Sequence, residues 1–324
     1  MTGSLCPSES RGRSVAARAA RELDRVRRRI AGSRQRRRMR REQRRQVARL
    51  PESSPAPGYE TVCVVAVRGR LDMVARNVEI LHAGRGAPSM ACVLVVSNRR
   101  DHEFATSLKH KLPHTFVCVH PNNPLGAKWA AGVAYGRLFD PRGLMILGSD
   151  DLASPAYRRY CHEMTAAGSG AAAGPGFLDM LGTWSWYVYD AATRGEPGSA
   201  LWHLAYRGGE ERKSLGAGRW YSRRLLDLLG WRLFDTKREA KLDTFGYEAA
   251  RKAGARIGRV PPEQGCILSV KGQWEALNPT EIIIRSPKIV CRPADARQRA
   301  FLRAQFGQEP EALLAGATGG DETG

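Results

Sequence analysis

The sequence predicts an α/β protein: a doubly wound, mostly parallel sheet with an antiparallel extension, led by a basic arm. Three observations carry this. Short β-branched runs alternate with segments of helical periodicity through the first half of the body. Beyond Gly168 the alternation gives way to runs rich in Trp and Tyr. Charge is also concentrated at one end. Residues 1–50 hold 17 Arg, no Lys and four carboxylates, a net +13 out of a formal +20 for the 324 residues.

Within the arm, Ala19, Leu23, Val26 and Ile30 fall at helical spacing. Arg34, Arg36, Arg37, Arg38, Arg40, Arg41, Arg44 and Arg45 then occupy every face. A helix without an apolar stripe is not held by packing, so this stretch is expected to fray in isolation. Neutralising nucleic acid phosphates would order it, because each released counterion favours association. The competing reading is a solvated tail. A membrane surface is not the expected partner, since the basic face has almost no aromatic or Leu companions. From Leu50 the chain reads LPESSPAPGYE, a Pro/Ser linker that ends any helix. The expected division is therefore 1–56 as arm and linker, 57–293 as one α/β body, and 294–324 as a helix and flexible tail.

Composition narrows the class. Mean hydropathy is −0.41, and no run approaches the roughly 20 apolar residues of a membrane span. The opening MTGSLCPSESRGRS has no apolar core after a charged start, so no secretory signal is expected. Cys6, Cys63, Cys92, Cys118, Cys161, Cys266 and Cys291 are scattered and form no CxxC pair. Neither a disulfide framework nor a structural zinc site is expected, and the predicted compartment is the cytoplasm.

TVCVVAV (61–67) is the first expected strand, followed by a helix in which Leu71, Val74, Val78 and Leu81 share a face. ACVLVVSN (91–98) and the helical DHEFATSLKHKL form the second pair. TFVCVH (115–120), a PNNP turn and a helix around LGAKWAAGVAYGRLF form the third. GLMILG (143–148) leads into SDDLASPAYRRYCHEMTAAG, read as a loop and a helix. Cys63, Cys92 and Cys118 sit inside these strands as small core residues. GPGFLDMLGTWSWYVYDA and SALWHLAYRG are the aromatic strands of the extension. SLGAGRWYSRRLLDLLGW reads as a Gly turn into a helix, and REAKLDTFGYEAARKAG as another helix. GARIGRV and CILSVKG close the body as strands.

In such sheets a ligand lies beyond the carboxyl ends of the strands. The fourth strand ends in Gly148-Ser149-Asp150-Asp151. Two carboxylates there form a hard oxygen site that would suit Mg²⁺ or Mn²⁺ together with substrate phosphates. They would equally serve as a helix N-cap before Pro155.

Taken in order, the Val67–Arg70 loop (VRGR), NPLGAKWAAG (123–132), LMILGSDD (144–151), LGAGRWYSRRLLDLLGW (215–231) and KLDTFGYEA (241–249) resemble the GT-A glycosyltransferases, family 2 and its relatives. The resemblance covers about residues 61–270. It implies a GT-A fold and metal-dependent transfer of a sugar from a nucleotide-diphosphate donor, a UDP-sugar by preference, to a hydroxyl. It places Val67, Arg68 and Arg70 against the nucleotide and Lys128 near the diphosphate. Gly218 and Arg219 would lie in a tight turn near the donor sugar or the acceptor. Asp150 and Asp151 would act as the metal-binding pair, with Asp151 carrying most of the binding because Ser149 stands at the motif's first position. Asp243 matches the general base that takes the acceptor's proton.

The residues themselves leave other readings open. Arg68 and Arg70 would suit an exposed loop, Lys128 a solvated first turn, and Asp243 an N-cap beside Thr244. Asp235 and Asp179 are fallback bases. Trp184, Trp186, Tyr187, Tyr189, Trp202 and Tyr206 would stack an acceptor or fill a sheet core. His203 reads as structural, and Lys271 as a weak phosphate contact.

The +13 arm and +7 body suit a DNA acceptor. The phage enzymes that glycosylate 5-hydroxymethylcytosine in DNA are the matching chemistry, with the base flipped out of the duplex. A protein or polysaccharide acceptor, a non-catalytic nucleic-acid-binding protein and a nucleotidyltransferase are the alternatives.

Overall fold

The computed structural model describes residues 58–83, 89–166, 177–191, 200–207, 214–271 and 286–314. Contacts divide the chain into Met1–Pro51 and Glu52–Gly324, and every described residue belongs to the second unit. The arginines from Arg34 to Arg45 lie outside the described residues.

The four apolar runs are β1 (Thr61–Ala66), β2 (Met90–Val96), β3 (Thr115–Val119) and β4 (Gly143–Gly148). They lie parallel in the order β4-β1-β2-β3. Every residue of β2 is buried, as a strand covered on both faces requires. The crossovers are α1 (Leu71–His82), α2 (Arg99–Lys111) and α3 (Leu125–Gly136). Helix α2 starts where the Asn98 side chain accepts the Asp101 N–H. Helix α3 lies unusually close to the sheet at Gly132. A Cβ there would come within 2.5 Å of the Val64 and Val95 methyl groups, so only glycine permits the approach. Cys63, Cys92 and Cys118 are buried in these strands; burial pushes the Cys118 thiol up to about 12 and Cys63 well above its ordinary value. They are core residues rather than nucleophiles.

Beyond β4 the chain departs from its sequence reading in several places. The stretch expected as loop and helix opens with a short strand, β5 (Asp151–Ala153), before α4 (Pro155–Ala166). The glycine turn expected to enter a helix first forms β9 (Trp220–Ser222), followed by α5 (Arg223–Leu228). Strand β9 runs antiparallel between β4 and β6 (Met180–Gly182), and β10 (Ile257–Arg259) pairs parallel with β6. The sheet thus reads β10-β6-β9-β4-β1-β2-β3. Three-residue strands carry no periodicity of their own, and their partners define them. Third, the aromatic half forms a second sheet.

That sheet is ordered β12-β8-β7-β11-β5, with β7 (Ser185–Asp190), β8 (Leu201–Tyr206), β11 (Ile267–Lys271) and β12 (Ile289–Pro293). Its pairs are antiparallel except β7 with β11. The mixed α/β class with a mostly parallel main sheet therefore stands, and the expected extension is this separate layer. After α6 (Leu242–Lys252), the terminal α7 (Ala296–Phe306) and α8 (Pro310–Leu314) replace the single helix expected. Helix α7 opens on a capping box between Asp295 and Gln298. It buries Leu302 in a core with Met73, Leu201 and Leu268. Arg158 of α4 is wholly buried, and its guanidinium donates to the carbonyls of Leu81 (2.5 Å) and Ile80 (2.8 Å). It thereby satisfies two of the carbonyls at the C-terminal end of α1.

Candidate active site at the mouth of the parallel sheet

The loop after β1 is held from three sides. Val67 continues the ladder, donating its N–H to the Val95 carbonyl at 2.9 Å. Gly69 (φ 63°) and Arg70 (φ 53°) both take left-handed backbone and turn the chain sharply before α1. The Gly69 N–H donates to Asp101 Oδ1 at 3.3 Å. Asp101 is 1% exposed and also accepts from Asn98 Nδ2 at 2.9 Å. Burial raises its carboxyl above the usual range, opposed by the Gly69 hydrogen bond and by Lys128. Sequence reasoning places Asp101 in the Ser97–Asp101 loop at the carboxyl end of the second strand but gives it no role; the Asn98-x-x-Asp101 capping pattern is the available signal.

Lys128 is the third support. It is 0% exposed on α3, and its ammonium donates to the Val67 carbonyl and, at 3.1 Å, to Asn122 Oδ1. Burial drives its pKa down to about 7; Asp101 pulls the other way, and Arg68 adds to the lowering. The residue expected to approach a diphosphate is thus spent on the loop backbone. Arg68 is exposed at the loop's tip. Arg70 instead turns back, with Nη1 3.1 Å from Asp150 Oδ2.

The other wall is the end of β4. The side chains of Asp150 and Asp151 are almost fully buried and turn to different partners. Asp151 Oδ2 accepts the Gly148 N–H at 3.1 Å, while Oδ1 takes the Ser269 hydroxyl. Asp150 Oδ2 receives both Arg70 and the Lys271 ammonium. Strand β11 supplies Ser269 and Lys271 together, because residues two apart share a face, and the register sets Ser269 opposite Asp151. Burial and the Asp150 charge push Asp151 up to about 6. Burial would raise Asp150 as well, but Lys271 and then Arg70 outweigh it and hold the carboxyl below its ordinary value.

A turn at Gly216–Arg219 adjoins this wall. Gly218 (φ 74°) donates to the Ile146 carbonyl at 2.7 Å, and its own carbonyl accepts from Tyr157 Oη at 2.9 Å. Arg219 is 2% exposed and points inward. It donates to the Ser214 carbonyl at 2.9 Å, to Ser214 Oγ at 3.2 Å and to the Asp243 carbonyl. It therefore fastens the turn to the start of α6.

Asp243 sits half-buried in the first turn of α6, with its Cβ so close to Gly216 that a side chain there would collide at 2.6 Å. The cap position belongs to Lys241, in left-handed backbone and without a side-chain cap bond, so Asp243 is not the N-cap. Its charge reaches the Tyr206 and Tyr221 hydroxyls. The fallback carboxylates are structural. Asp179 is 0% exposed and takes two 3.0 Å bonds from Arg224, and Asp235 closes a turn with Lys237 and Arg238.

The aromatics divide in the same way. Trp186, Tyr187 and Tyr189 are buried in the second sheet. Trp129 stacks on Phe234 at 5.5 Å, and Arg259 lies over Trp184 at 5.9 Å. His203 Nε2 bonds the Ser185 hydroxyl at 2.6 Å.

The carboxylates at the end of β4 are already engaged by protein donors. Among the described residues no three His, Cys, Asp or Glu side chains gather into a metal-binding group. Asp151 has both oxygens in protein hydrogen bonds, and Asp150 already holds two cations. Two unit charges 4 Å apart repel by about 4 kcal/mol at an effective dielectric near 20, and a divalent ion doubles that figure.

No family model matches the chain, and no curated protein matches it. Among solved structures, residues 1–349 of S. aureus TarS align at 13% identity with a TM-score of 0.47, over 65% of this chain and 60% of that one. The same protein in complex with UDP-GlcNAc aligns at 12% identity and 0.45, over 65% and 58%. The mannosyltransferase PcManGT from Pyrobaculum calidifontis, in complex with GDP-Man and Mn²⁺, aligns at 11% identity and 0.43, over 87% and 71%. This chain thus spans less than two thirds of the TarS chains it is similar to.

Proposed function

We propose that the chain is a glycosyltransferase that moves a sugar from a nucleotide-diphosphate donor, a UDP-sugar by preference, to a hydroxyl acceptor. One observation carries the reading. Arg70 and Lys271 converge on Asp150 at the carboxyl ends of β1 and β4, and Asp243 stands beside the adjoining Gly216–Arg219 turn. A cationic anchor next to a half-buried carboxylate is what displacement of a diphosphate by a hydroxyl requires.

The nucleotide lies against the rigid Val67–Arg70 loop, with Arg68 at its exposed tip. The acceptor oxygen bonds to the anomeric carbon as the bond to the diphosphate oxygen breaks. The acceptor proton passes to Asp243, and the nucleoside diphosphate leaves with the bonding pair. Lys128 and Asp101 hold the loop, and Arg219 holds the start of α6, so the parts meet in a fixed geometry.

For the acceptor, the reading rests on charge. The net +13 of residues 1–50 suits a polyanion, and 5-hydroxymethylcytosine in DNA presents a primary hydroxyl of the right kind. The test incubates the full chain with hydroxymethylated DNA and a panel of nucleotide sugars, followed by nucleoside mass analysis. A hexose-sized gain on the base supports donor and acceptor together. Donor hydrolysis without that gain keeps the transferase and moves the acceptor to protein or polysaccharide. Neither product nor hydrolysis refutes the transferase and leaves a nucleic-acid-binding protein on this fold.

A further inference from the structure

We propose that Arg259, seated over Trp184 on the acceptor side of Asp243, binds a phosphodiester of the nucleic acid whose hydroxyl receives the sugar. This rests on the transferase reading above and on its nucleic acid acceptor. It adds a residue of the folded body, apart from the arm, that meets the acceptor's backbone.

Topology sets the place. Strands β10 and β6 run parallel to β4, because β9 is antiparallel to both β6 and β4 and β10 is parallel to β6. Arg259 is the last residue of β10, and Trp184 lies two beyond the end of β6. Both therefore stand on the rim where β4 ends, the side on which a parallel sheet receives ligands. The order β10-β6-β9-β4 puts three strand spacings, about 14 Å, between Arg259's strand and β4. Arg259 is thus set apart from the wall where Arg70 meets Asp150. The Gly216–Arg219 turn lies between the two. Gly218 bonds Ile146 of β4, while Leu215, just before the turn, donates its N–H to the Thr183 carbonyl at 2.7 Å. Asp243 packs on Gly216. The proposed base accordingly has the end of β4 on one flank and Trp184 with Arg259 on the other.

Chemistry then selects the ligand. Arg259 is exposed, and its guanidinium lies 5.9 Å from the centroid of the half-buried Trp184 ring. An aromatic ring orients a cation without cancelling its charge. Among the described residues no carboxylate pairs with Arg259, so the guanidinium keeps its charge and its N–H fork for an anion. Tyr206 adjoins the pair. Its backbone N–H donates to the Trp184 carbonyl at 3.0 Å, its ring lies 5.2 Å from that of Trp186, and the Asp243 charge reaches its hydroxyl. Half-buried aromatic rings beside a guanidinium suit a nucleotide, whose base stacks and whose phosphate takes the fork. A neutral sugar would leave Arg259 without a counter-charge.

Fluorescence anisotropy of the full chain on a duplex carrying one 5-hydroxymethylcytosine, repeated across a salt series, tests this. Arg259→Gln should lower the slope of log K against log salt by about 0.9, the value of one phosphate contact, while Arg259→Lys should keep it. Both variants should bind nucleoside diphosphate within about twofold of wild type. Duplexes with one neutral methylphosphonate near the modified base then locate the contact. At one position the replacement should weaken wild type by about threefold or more and leave Arg259→Gln unchanged, as two halves of one contact do. Arg259 is exposed, so neither variant disturbs the core. Equal salt slopes in wild type and Arg259→Gln, with both still glycosylating DNA, overturn this inference and leave the transferase and its acceptor standing. Additive losses at every methylphosphonate position do the same. Failure of wild type to bind DNA at low salt overturns the acceptor reading, and this inference with it.

Discussion

Replacing Lys128 by methionine separates a lysine that holds the loop from one that serves a diphosphate. Burial lowers its pKa from 10.5 to about 7, with Asp101 and Cys118 raising it and Arg68 lowering it further. Between those values the folded protein has lost the proton while the unfolded chain keeps it. The unfolded state then binds more protons, so stability rises with pH through this window. For a folded pKa near 7, the gain between about pH 6.5 and about pH 8.5 is about 2 kcal/mol, and the curve is nearly flat below that range. Methionine keeps the length and apolar stem but neither titrates nor donates. Its removal leaves the Val67 carbonyl and Asn122 without their donor, at about 1–3 kcal/mol each. Below pH 7 that loss is offset by removal of a buried ammonium. Urea unfolding of both proteins across the window gives the answer. Wild type should gain about 2 kcal/mol more than Lys128→Met. Parallel stability curves would refute the argument, because Lys128 would then be as hydrated folded as unfolded.

Asp243→Asn should slow transfer by about 10²-fold or more while leaving the Kd for the nucleoside diphosphate within about twofold, as loss of a general base does. Equal losses in both would make Asp243 a structural residue. Deleting residues 1–50 removes 17 Arg and should lower DNA affinity and flatten its dependence on salt. An unchanged salt slope in a filter-binding or anisotropy titration would return the arm to a solvated tail. Gly132→Ala sets a methyl 2.5 Å from Val64 and Val95. It should cost about 1–3 kcal/mol in chemical denaturation, as overpacking does; a neutral effect would mean that α3 moves freely off the sheet.

The four parallel strands were legible because each is a continuous apolar run, and a strand buried on both faces requires one. The helices between them were legible from their spacing. The short strands were not. β5 and β9 hold three residues each and exist because a partner strand is waiting, whereas β10, equally short, lies within the GARIGRV run expected as a strand. The site followed the same division. Val67–Arg70 and Asp150–Asp151 were visible because the carboxyl ends of strands are where a parallel sheet opens. The Lys271–Asp150 contact spans 121 positions, and nothing local announces it. Asp101 carried no assigned role because a carboxylate three residues after Asn98 reads as helix punctuation, while its second role comes from Gly69, 32 positions earlier. Lys128 was seen, but its direction was not, since burial of an ammonium is decided by the carbonyls around it. At Asp243, the left-handed backbone of Lys241 settles what Thr244 left open, by taking the cap position itself.

Asp150 and Asp151 read as one unit in sequence, and the fold gives them separate tasks. Gly148 makes this possible: a Cβ there would lie 2.3 Å from Asp151 Oδ2 and 2.8 Å from Asp150 Oδ1, so both carboxylates fold back over a bare backbone. Asn77 fixes the same residue from the other side, donating to its carbonyl at 3.3 Å. With that pivot set, Asp151 bonds Ser269 and fixes the register of β11. Register then decides which β11 side chain arrives two residues later, and it is Lys271. A one-residue slip would turn the ammonium to the opposite face and leave Asp150 buried with Arg70 alone. Losing that partner leaves the buried carboxylate less well compensated, so the slipped pairing is disfavoured. The electrostatics of the mouth and the pairing of the second sheet therefore enforce one another.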